Sequence, residues 1–411
     1  MVNEHLLHLL KKHWGYDGFR GVQQDIIESI LAGRDTLGLM PTGGGKSLTF
    51  QLPSLLMEGT CLVVTPLIAL MRDQVEHLRQ RGIKAAALYS GQSRREQELV
   101  TGNAQLDAYR LLYVSPERLQ TEMFRQKLRH IRLSFICVDE AHCISQWGYD
   151  FRPAYLEIGR LRQELEGVPV LALTATATPR VVEDIQRQLH FGRPNVFSMS
   201  FERRNLSYVV RETGDKPEEL LHILQSVDGA AIVYTRNREG TKDLATWLAQ
   251  HDVSATFYHA GLDHATRNLR QTEWQRGQTR VMVATNAFGM GIDKADVRLV
   301  VHVEMPDSLE AYFQEAGRAG RDGQPAYCVL LHNQRDDQTL RQAVEIQFPP
   351  KEYIRQVYDH LANYLQVGLG MGEGHVFAFD EGRFCRYFHH FPLRLEPALH
   401  LRFVTDRIFA T

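Results

Sequence analysis

Two carboxylates stand side by side at Asp139 and Glu140, closing the apolar run Phe135-Ile136-Cys137-Val138. Such a run reads as a strand buried on both faces of a parallel sheet. The carboxyl edge of an open α/β sheet is where ligands bind. A loop carrying Trp147, Tyr149, Phe151 and Tyr155 around Arg152 follows at once. An acid pair beside a cation-aromatic loop suits metal–nucleotide chemistry wired to a surface that stacks on bases.

A second chemical cluster lies upstream. PTGGGKS, Pro41–Ser47, sits between the short apolar run Thr36–Met40 and an amphipathic stretch through Leu56. Strand, Gly-rich turn ending in Lys-Ser, then helix is a phosphate cradle. After Thr42, Gly43, Gly44 and Gly45 let successive backbone N–H groups face phosphate oxygens, which a Cβ would hinder. Lys46 is placed to neutralise β/γ-phosphate charge, and the Ser47 hydroxyl to ligate Mg²⁺. Met40 stands where the strict pattern has glycine. Far downstream, QEAGRAGRDG (Gln314–Gly323) places Arg318 and Arg321 three apart, on one side of a helical turn. Guanidinium forks of this kind suit a phosphoryl group whose charge rises during transfer.

The elements that would position these groups recur in two series. Apolar runs at Cys61–Thr65, Ala85–Leu88, Leu111–Val114 and Val170–Thr174 join the two already named, with helical stretches between them. A second series follows: Ser207–Arg211, Ala230–Tyr234, Ala255–Tyr258, Arg280–Ala284, Arg298–Val303 and Tyr327–Leu331. Each series is the pattern of a parallel sheet wrapped by helices. Polar strand ends, including TPL at Thr65–Leu67 and SPERL at Ser115–Leu119, fall where such sheets meet ligands. The expected domains are 1–199, 200–335 and a helical segment 336–411.

With 411 residues, the chain is too long for one ordinary core. Its formal charge of -2 means that a nucleic-acid ligand needs a local basic groove, not a basic body. Cysteines at 61, 137, 143, 328 and 385 show no CxxC spacing and read as reduced, packed residues. The N-terminal MVNEHLLHLLKKHW is amphipathic and charged, unlike a signal peptide, and no apolar run approaches 18 residues. The expectation is a cytoplasmic chain, nucleoid-associated in a bacterium, a monomer, without a membrane partner.

Taken in order, WGYDGFR..Q, MPTGGGKS, VTPLIALMRDQV, SPERL, DEAHCISQWGYDFRPAY, LTATAT, YHAGL, VATNAFGMGIDK and QEAGRAGRDG resemble the RecQ family of superfamily 2 DNA helicases. They cover residues 14 to about 333. The resemblance implies an α/β fold of two tandem RecA-like domains plus a small, mainly helical, winged-helix-like C-terminal segment. It implies ATP and Mg²⁺ as cofactors, single-stranded and tailed duplex DNA as partners, and 3′→5′ unwinding in repair and recombination. A translocase that does not unwind unaided, or an RNA helicase, is the alternative. Tyr16, Arg20 and Gln23 match the adenine-recognising segment, and Thr42 to Ser47 the phosphate loop. Asp139 would hold Mg²⁺ through water, Glu140 would orient or deprotonate the attacking water, and His142 would link toward LTATAT. Gln314, Arg318 and Arg321 match motif VI, with Arg321 as the arginine finger; Gly291 and Asp293 fall in motif V. Trp147, Phe151 and Arg152 match the loop that senses single-stranded DNA. Thr65, Pro66, Ser115, His259 and Thr285 are further candidates for strand contact.

The tail departs from the family pattern. Only Cys385 follows Cys328, so a four-cysteine zinc module cannot form and no zinc is expected. His375, His389, His390 and His400 read as packing or surface residues, not as partners of Cys385 in a metal site. Pro349–Val367 reads as an amphipathic helix, and FDEGRFCRYFHH with PLRLEPALHLRF as two short helices around a turn. This is either a winged-helix onset or a helical cap, with little room for a strand-separating hairpin.

Overall fold

The computed structural model describes residues 2–405 apart from 149, 166, 176, 289–293 and 369–376. Seven strands build the first sheet: β1 Thr36–Leu39, β2 Thr60–Val64, β3 Ala85–Leu88, β4 Leu111–Val114, β5 Leu133–Val138, β6 Val170–Thr174 and β7 Val196–Ser198. Their order is β3-β4-β2-β5-β6-β1-β7, and the registered pairs are parallel. Side chains alternate between faces. Leu62, Val64, Ile136 and Val138 enter one core, while Cys61, Val63, Phe135 and Cys137 enter the other. With helices over both faces, every position of β2 is buried. That is why these strands read as unbroken apolar runs instead of alternating ones.

Six strands form the second sheet: β8 Leu206–Glu212, β9 Ala230–Tyr234, β10 Ala255–Tyr258, β11 Val281–Ala284, β12 Val297–His302 and β13 Ala326–His332. The order is β10-β11-β9-β12-β13-β8. Ala231, Val233, Val281, Val283, Leu299 and Val301 line one face; Ile232, Tyr234, Met282, Ala284 and Val300 line the other. Both sheets belong to one compact unit, Met1–Arg211 with Asp215–Leu331.

The second compact unit is Glu212–Gly214 with His332–Thr411. Past His332 its described residues are helices and their connections: Gln334–Gln347, Lys351–Leu365, Glu381–Phe388 and Pro392–Thr405. Val357, Phe384, Cys385, Leu395 and Ala398 make its core. His390 is bonded to the Tyr353 hydroxyl at 3.1 Å and to His360 at 2.9 Å, so it packs within this core. His375 lies outside the described residues. Among the described residues of this unit, no three His, Cys, Asp or Glu side chains converge. All five cysteines are buried and free of disulfides. No described helix is long and apolar enough to cross a membrane.

Candidate active site

The phosphate loop leaves the end of β1 and enters the Lys46–Ser54 helix. Gly43 and Gly45 take φ of 79° and 77°, the left-handed region that side chains disfavour. Gln23, from the preceding helix, shapes the loop. Its Nε2 donates to the Gly44 carbonyl at 3.1 Å, with a longer contact to Gly45 O at 3.4 Å, while Oε1 accepts from the Arg20 N–H at 2.8 Å. A Cβ on Gly45 would lie 2.3 Å from Gln23 Nε2, so the brace itself requires glycine there. Tyr16 lies half exposed, with the Arg20 guanidinium 5.7 Å from its ring centre.

The acid pair hangs from the end of β5. The Asp139 N–H donates to Val64 O at 2.9 Å, continuing the ladder to β2, and buried Tyr155 donates its hydroxyl to Asp139 O at 3.0 Å. Glu140 then turns sharply, with φ 49°, a conformation rare outside glycine. Strain of this kind is held by surrounding structure and clusters at functional sites. The turn carries the Glu140 carboxylate to 3.8 Å from Lys46 Nζ and 3.4 Å from His142 Nδ1. Burial pushes the Glu140 carboxyl up, but Lys46, His142 and Arg318 outweigh it and hold the group below its ordinary value. Asp139 goes the other way, pushed up to about 6 by burial and by the Glu140 charge. Burial lowers the His142 pKa, against the pull of the Glu140 charge, and its Nδ1 lies 2.8 Å from Thr174 Oγ1 at the end of β6.

These groups meet the second sheet across a cleft of about 440 Å³. Tyr16, Arg20, Gln23, Thr42, Gly43, Gly45, Lys46, Ser47, Asp139 and Glu140 line one side; Gln314, Arg318 and Arg321 line the other. The three last come from a helix capped by Ser308, whose hydroxyl accepts from Ala311 N–H at 3.1 Å, and from the turn beyond it. Arg318 is 4% exposed, and its Nε has no hydrogen-bond partner among the described residues. A Cβ on Gly43 would touch Arg321 Cγ at 3.5 Å, so the Arg321 stem lies against the phosphate loop. A more open hollow of about 510 Å³ beside Leu7, Lys12 and the exposed Lys11–Asp17 pair has no phosphate loop or acid pair in its lining, and the smaller cleft is the candidate site. Gly291 and Asp293 lie outside the described residues.

Ser47 Oγ and the Asp139 carboxylate are hard oxygen donors of the kind Mg²⁺ takes. Among the described residues the buried Glu140 Oε2 atom has no hydrogen bond, an open acceptor for a water of the ion's shell. The residues present therefore fit the ion. Gln74 was not singled out from the sequence, although it sits in the quoted VTPLIALMRDQV. Its Nε2 donates to Ser47 Oγ at 3.0 Å, while its Oε1 accepts from Tyr113 OH at 2.8 Å. The Ser47 hydroxyl is thus oriented from behind. Gln74→Ala is expected to weaken Mg²⁺ affinity about 10–100-fold, as loss of an outer support does. Mg²⁺ titration of fluorescent-nucleotide binding checks this, and an unchanged midpoint would remove Gln74 from the site.

The strand-contact candidates are placed differently. Trp147 is 52% exposed, and the Arg180 guanidinium lies 3.2 Å from its ring centre. The Trp147 backbone N–H donates to Ser145 Oγ at 3.2 Å, and Ser145 donates in turn to buried Asp184 at 2.6 Å. Phe151 and Arg152 are half-buried, with Arg152 paired to Asp150 at 2.9 Å; Tyr149 lies outside the described residues. Cys143 and Asp150 approach His142, but this trio serves the loop: Cys143 Sγ faces Asp150 at 3.8 Å and its thiol is pushed up by burial. Thr65, Ser115 and Thr285 are nearly fully buried, so their side chains offer little to a strand. Thr65 instead turns its hydroxyl toward Asp139 Oδ2 at 3.4 Å, which makes it part of the acid site. Pro66 is half-buried at the end of β2. His259 has its pKa lowered by burial and by Arg238 and Arg270, and its buried Nδ1 has no hydrogen-bond partner among the described residues.

Comparison with known proteins bears on the family and the fold. The DEAD/DEAH box helicase family matches residues 20–185, and the helicase conserved C-terminal domain matches residues 215–323. A probable ATP-dependent DNA helicase RecS of Bacillus subtilis is 42% identical over 85% of this chain and 71% of its own length. An ATP-dependent DNA helicase RecQ of Pasteurella multocida is 44% identical over 80% of this chain, which spans 52% of that relative. Among solved structures, the Mycobacterium smegmatis helicase Lhr bound to ssDNA and AMP-PNP has a TM-score of 0.65 at 20% identity. The match covers 93% of this chain and 54% of that one, and is a likeness of fold.

Proposed function

We propose, from the premise that this chain belongs to the RecQ family of superfamily 2 DNA helicases, that it is an ATP-dependent DNA helicase. In this reading it couples hydrolysis to 3′→5′ movement along single-stranded DNA, parting duplexes in repair and recombination. The carrying observation is the cleft in which Lys46 and Glu140 of one sheet face Arg318 and Arg321 of the other. ATP held there joins the two sheets; its hydrolysis frees them to part. Each cycle then moves two grips on DNA relative to each other.

Lys46 and the loop N–H groups bind the phosphates. Ser47 and Asp139 would hold Mg²⁺, which supplies positive charge against the phosphate oxygens. Glu140, kept ionised by Lys46, His142 and Arg318, orients the attacking water and accepts its proton. Arg321, supported by Arg318, stabilises the charge that rises on the transferring group. The working division remains 1–199, 200–335 and 336–411.

Trp147 is the base-stacking element of the sensor loop. Stacking is worth about 1–3 kcal/mol per base and is indifferent to sequence. The loop continues directly from the Glu140 turn, and Arg152 N–H donates to Cys143 O at 2.9 Å, so strand occupancy has a short path to the acid. Trp147→Ala should lower DNA-stimulated ATPase more than basal ATPase. Equal losses in both would refute the coupling.

One observation favours a second reading. Beyond His332 the described residues form helices only, with no β-hairpin to part strands. A translocase that hydrolyses ATP on DNA without unwinding unaided fits this. Strand displacement on 3′- and 5′-tailed duplexes, run beside ATPase on ssDNA and on RNA, separates the readings. Unwinding only from 3′ tails supports the first. DNA-stimulated hydrolysis without displacement supports the second, stimulation by RNA alone would reassign the substrate, and background hydrolysis on saturating ssDNA would end the enzyme reading.

A further inference from the structure

The segment joining β7 to β8 carries two adjacent arginines with different fates. Arg204 is exposed and pairs with Glu202 at 3.3 Å. Arg203 is half-buried and, among the described residues, has no carboxylate partner; its guanidinium is held by backbone carbonyls alone. Nη2 donates to Ala319 O at 3.0 Å and Gly320 O at 2.8 Å. Nη1 faces Thr42 O at 3.3 Å and Gly317 O at 3.5 Å, a longer pair that spans the cleft. Asn205 adds its amide to Gly320 O at 2.7 Å and Gln324 O at 2.9 Å.

The identity of those carbonyls matters. Gly317 ends the Leu309–Ala316 helix, and Ala319 and Gly320 lie in the turn between Arg318 and Arg321. A helix C-terminus leaves carbonyls without partners and favours a cation. Thr42 O belongs to the same planar peptide as the Gly43 N–H, so holding the carbonyl fixes the direction of that donor. One planar fork therefore touches the phosphate loop of the first sheet and the arginine turn of the second. A plain helix-capping arginine would explain the contacts at 317, 319 and 320. It would not explain Thr42.

We propose that Arg203 is a positioning residue that sets the Arg318–Arg321 turn in register with the phosphate loop. The joining segment thereby carries a pin for the cleft as well as a tether between the sheets. The consequence for catalysis rests on the ATPase reading above; the clamp itself does not. Arg203→Ala should lower the kcat of ssDNA-stimulated ATPase about 10²-fold, as a misplacement of about 1 Å does. The KM for ATP should move less than about threefold, since ground-state contacts remain. Hydrogen exchange of the ligand-free chain should rise together in peptides 41–46 and 317–323, with β1 and β9 unchanged. Arg203→Lys keeps the charge but not the fork, and should fall between the two in both readouts. It also carries the test should the alanine variant not fold. Wild-type exchange at both peptides in either folded variant would overturn the clamp, as would a lysine variant equal to wild type. A loss confined to KM would overturn the register role. Absence of ATPase in the wild-type chain would instead sink the enzyme reading, with hydrogen exchange still deciding the clamp.

Discussion

Glu140→Gln is expected to bind ATP and stall, with kcat reduced about 10²–10⁴-fold, the range for a lost general base. The substitution keeps side-chain size in a tight place: the residue is 12% exposed, in a turn with φ 49°. It removes the charge that Lys46 faces at 3.8 Å and His142 at 3.4 Å. It also removes one of two like charges, so Asp139 carries its own charge more easily and Mg²⁺ binding should persist. Nucleotide binding and hydrolysis should therefore separate. Single-turnover hydrolysis, set against equilibrium binding of a fluorescent ATP analogue, measures the two independently. Rapid turnover in this variant would refute the role given to Glu140.

How legible these parts were depends on how far their physics reaches along the chain. The parallel strands were readable because burial on both faces leaves unbroken apolar runs, as in Cys61–Val64. β7 was readable as a β-like piece before the boundary near Ser200, but its place beside β1 was not. It has three residues at an edge, two of them exposed, and it is held by pairing to Leu37–Leu39, 159 positions away in sequence. The phosphate loop was readable because its chemistry is local: positive-φ glycines, then a lysine opening a helix. Its supports were not. Gln74 reaches Ser47 from 27 residues away and Arg203 reaches Thr42 from 161 away, and neither spacing leaves a local pattern. Thr65 shows the converse limit. Strand-end position suggested a surface contact, but the last residues before and after a strand end point to opposite sides, and this one faces Asp139.

The unit beyond His332 sharpens the contrast. Three of its helices were readable from the sequence and Gln334–Gln347 was not, yet periodicity says only which face is buried. His390 could be weighed as a ligand or as packing from sequence, and only its bonds to Tyr353 and His360 assign it to the core. What such a unit does to DNA depends on surfaces, and surfaces carry the weakest sequence signal.

Arg321→Ala should cost more than any other single change, about 10³–10⁵-fold in kcat, the worth of an arginine finger. That loss corresponds to about 4–7 kcal/mol of transition-state stabilisation. In the proposed mechanism the two arginines of the turn divide the task by burial. Arg318 is 4% exposed and contributes to keeping Glu140 ionised, so it is fixed before nucleotide arrives. Arg321 is less buried; its stem lies against Gly43 of the phosphate loop, and the residue lines the cleft from the opposite sheet. Its charge acts mainly when charge develops between the sheets, so KM should change far less than kcat. Arg321→Lys should recover little, because an ammonium offers no planar fork. Arg318→Ala should disturb both terms, since it also removes one of the charges that hold Glu140 ionised. Steady-state kcat and KM at saturating ssDNA distinguish these outcomes. A kcat within about tenfold of wild type for Arg321→Ala would move the finger to Arg318.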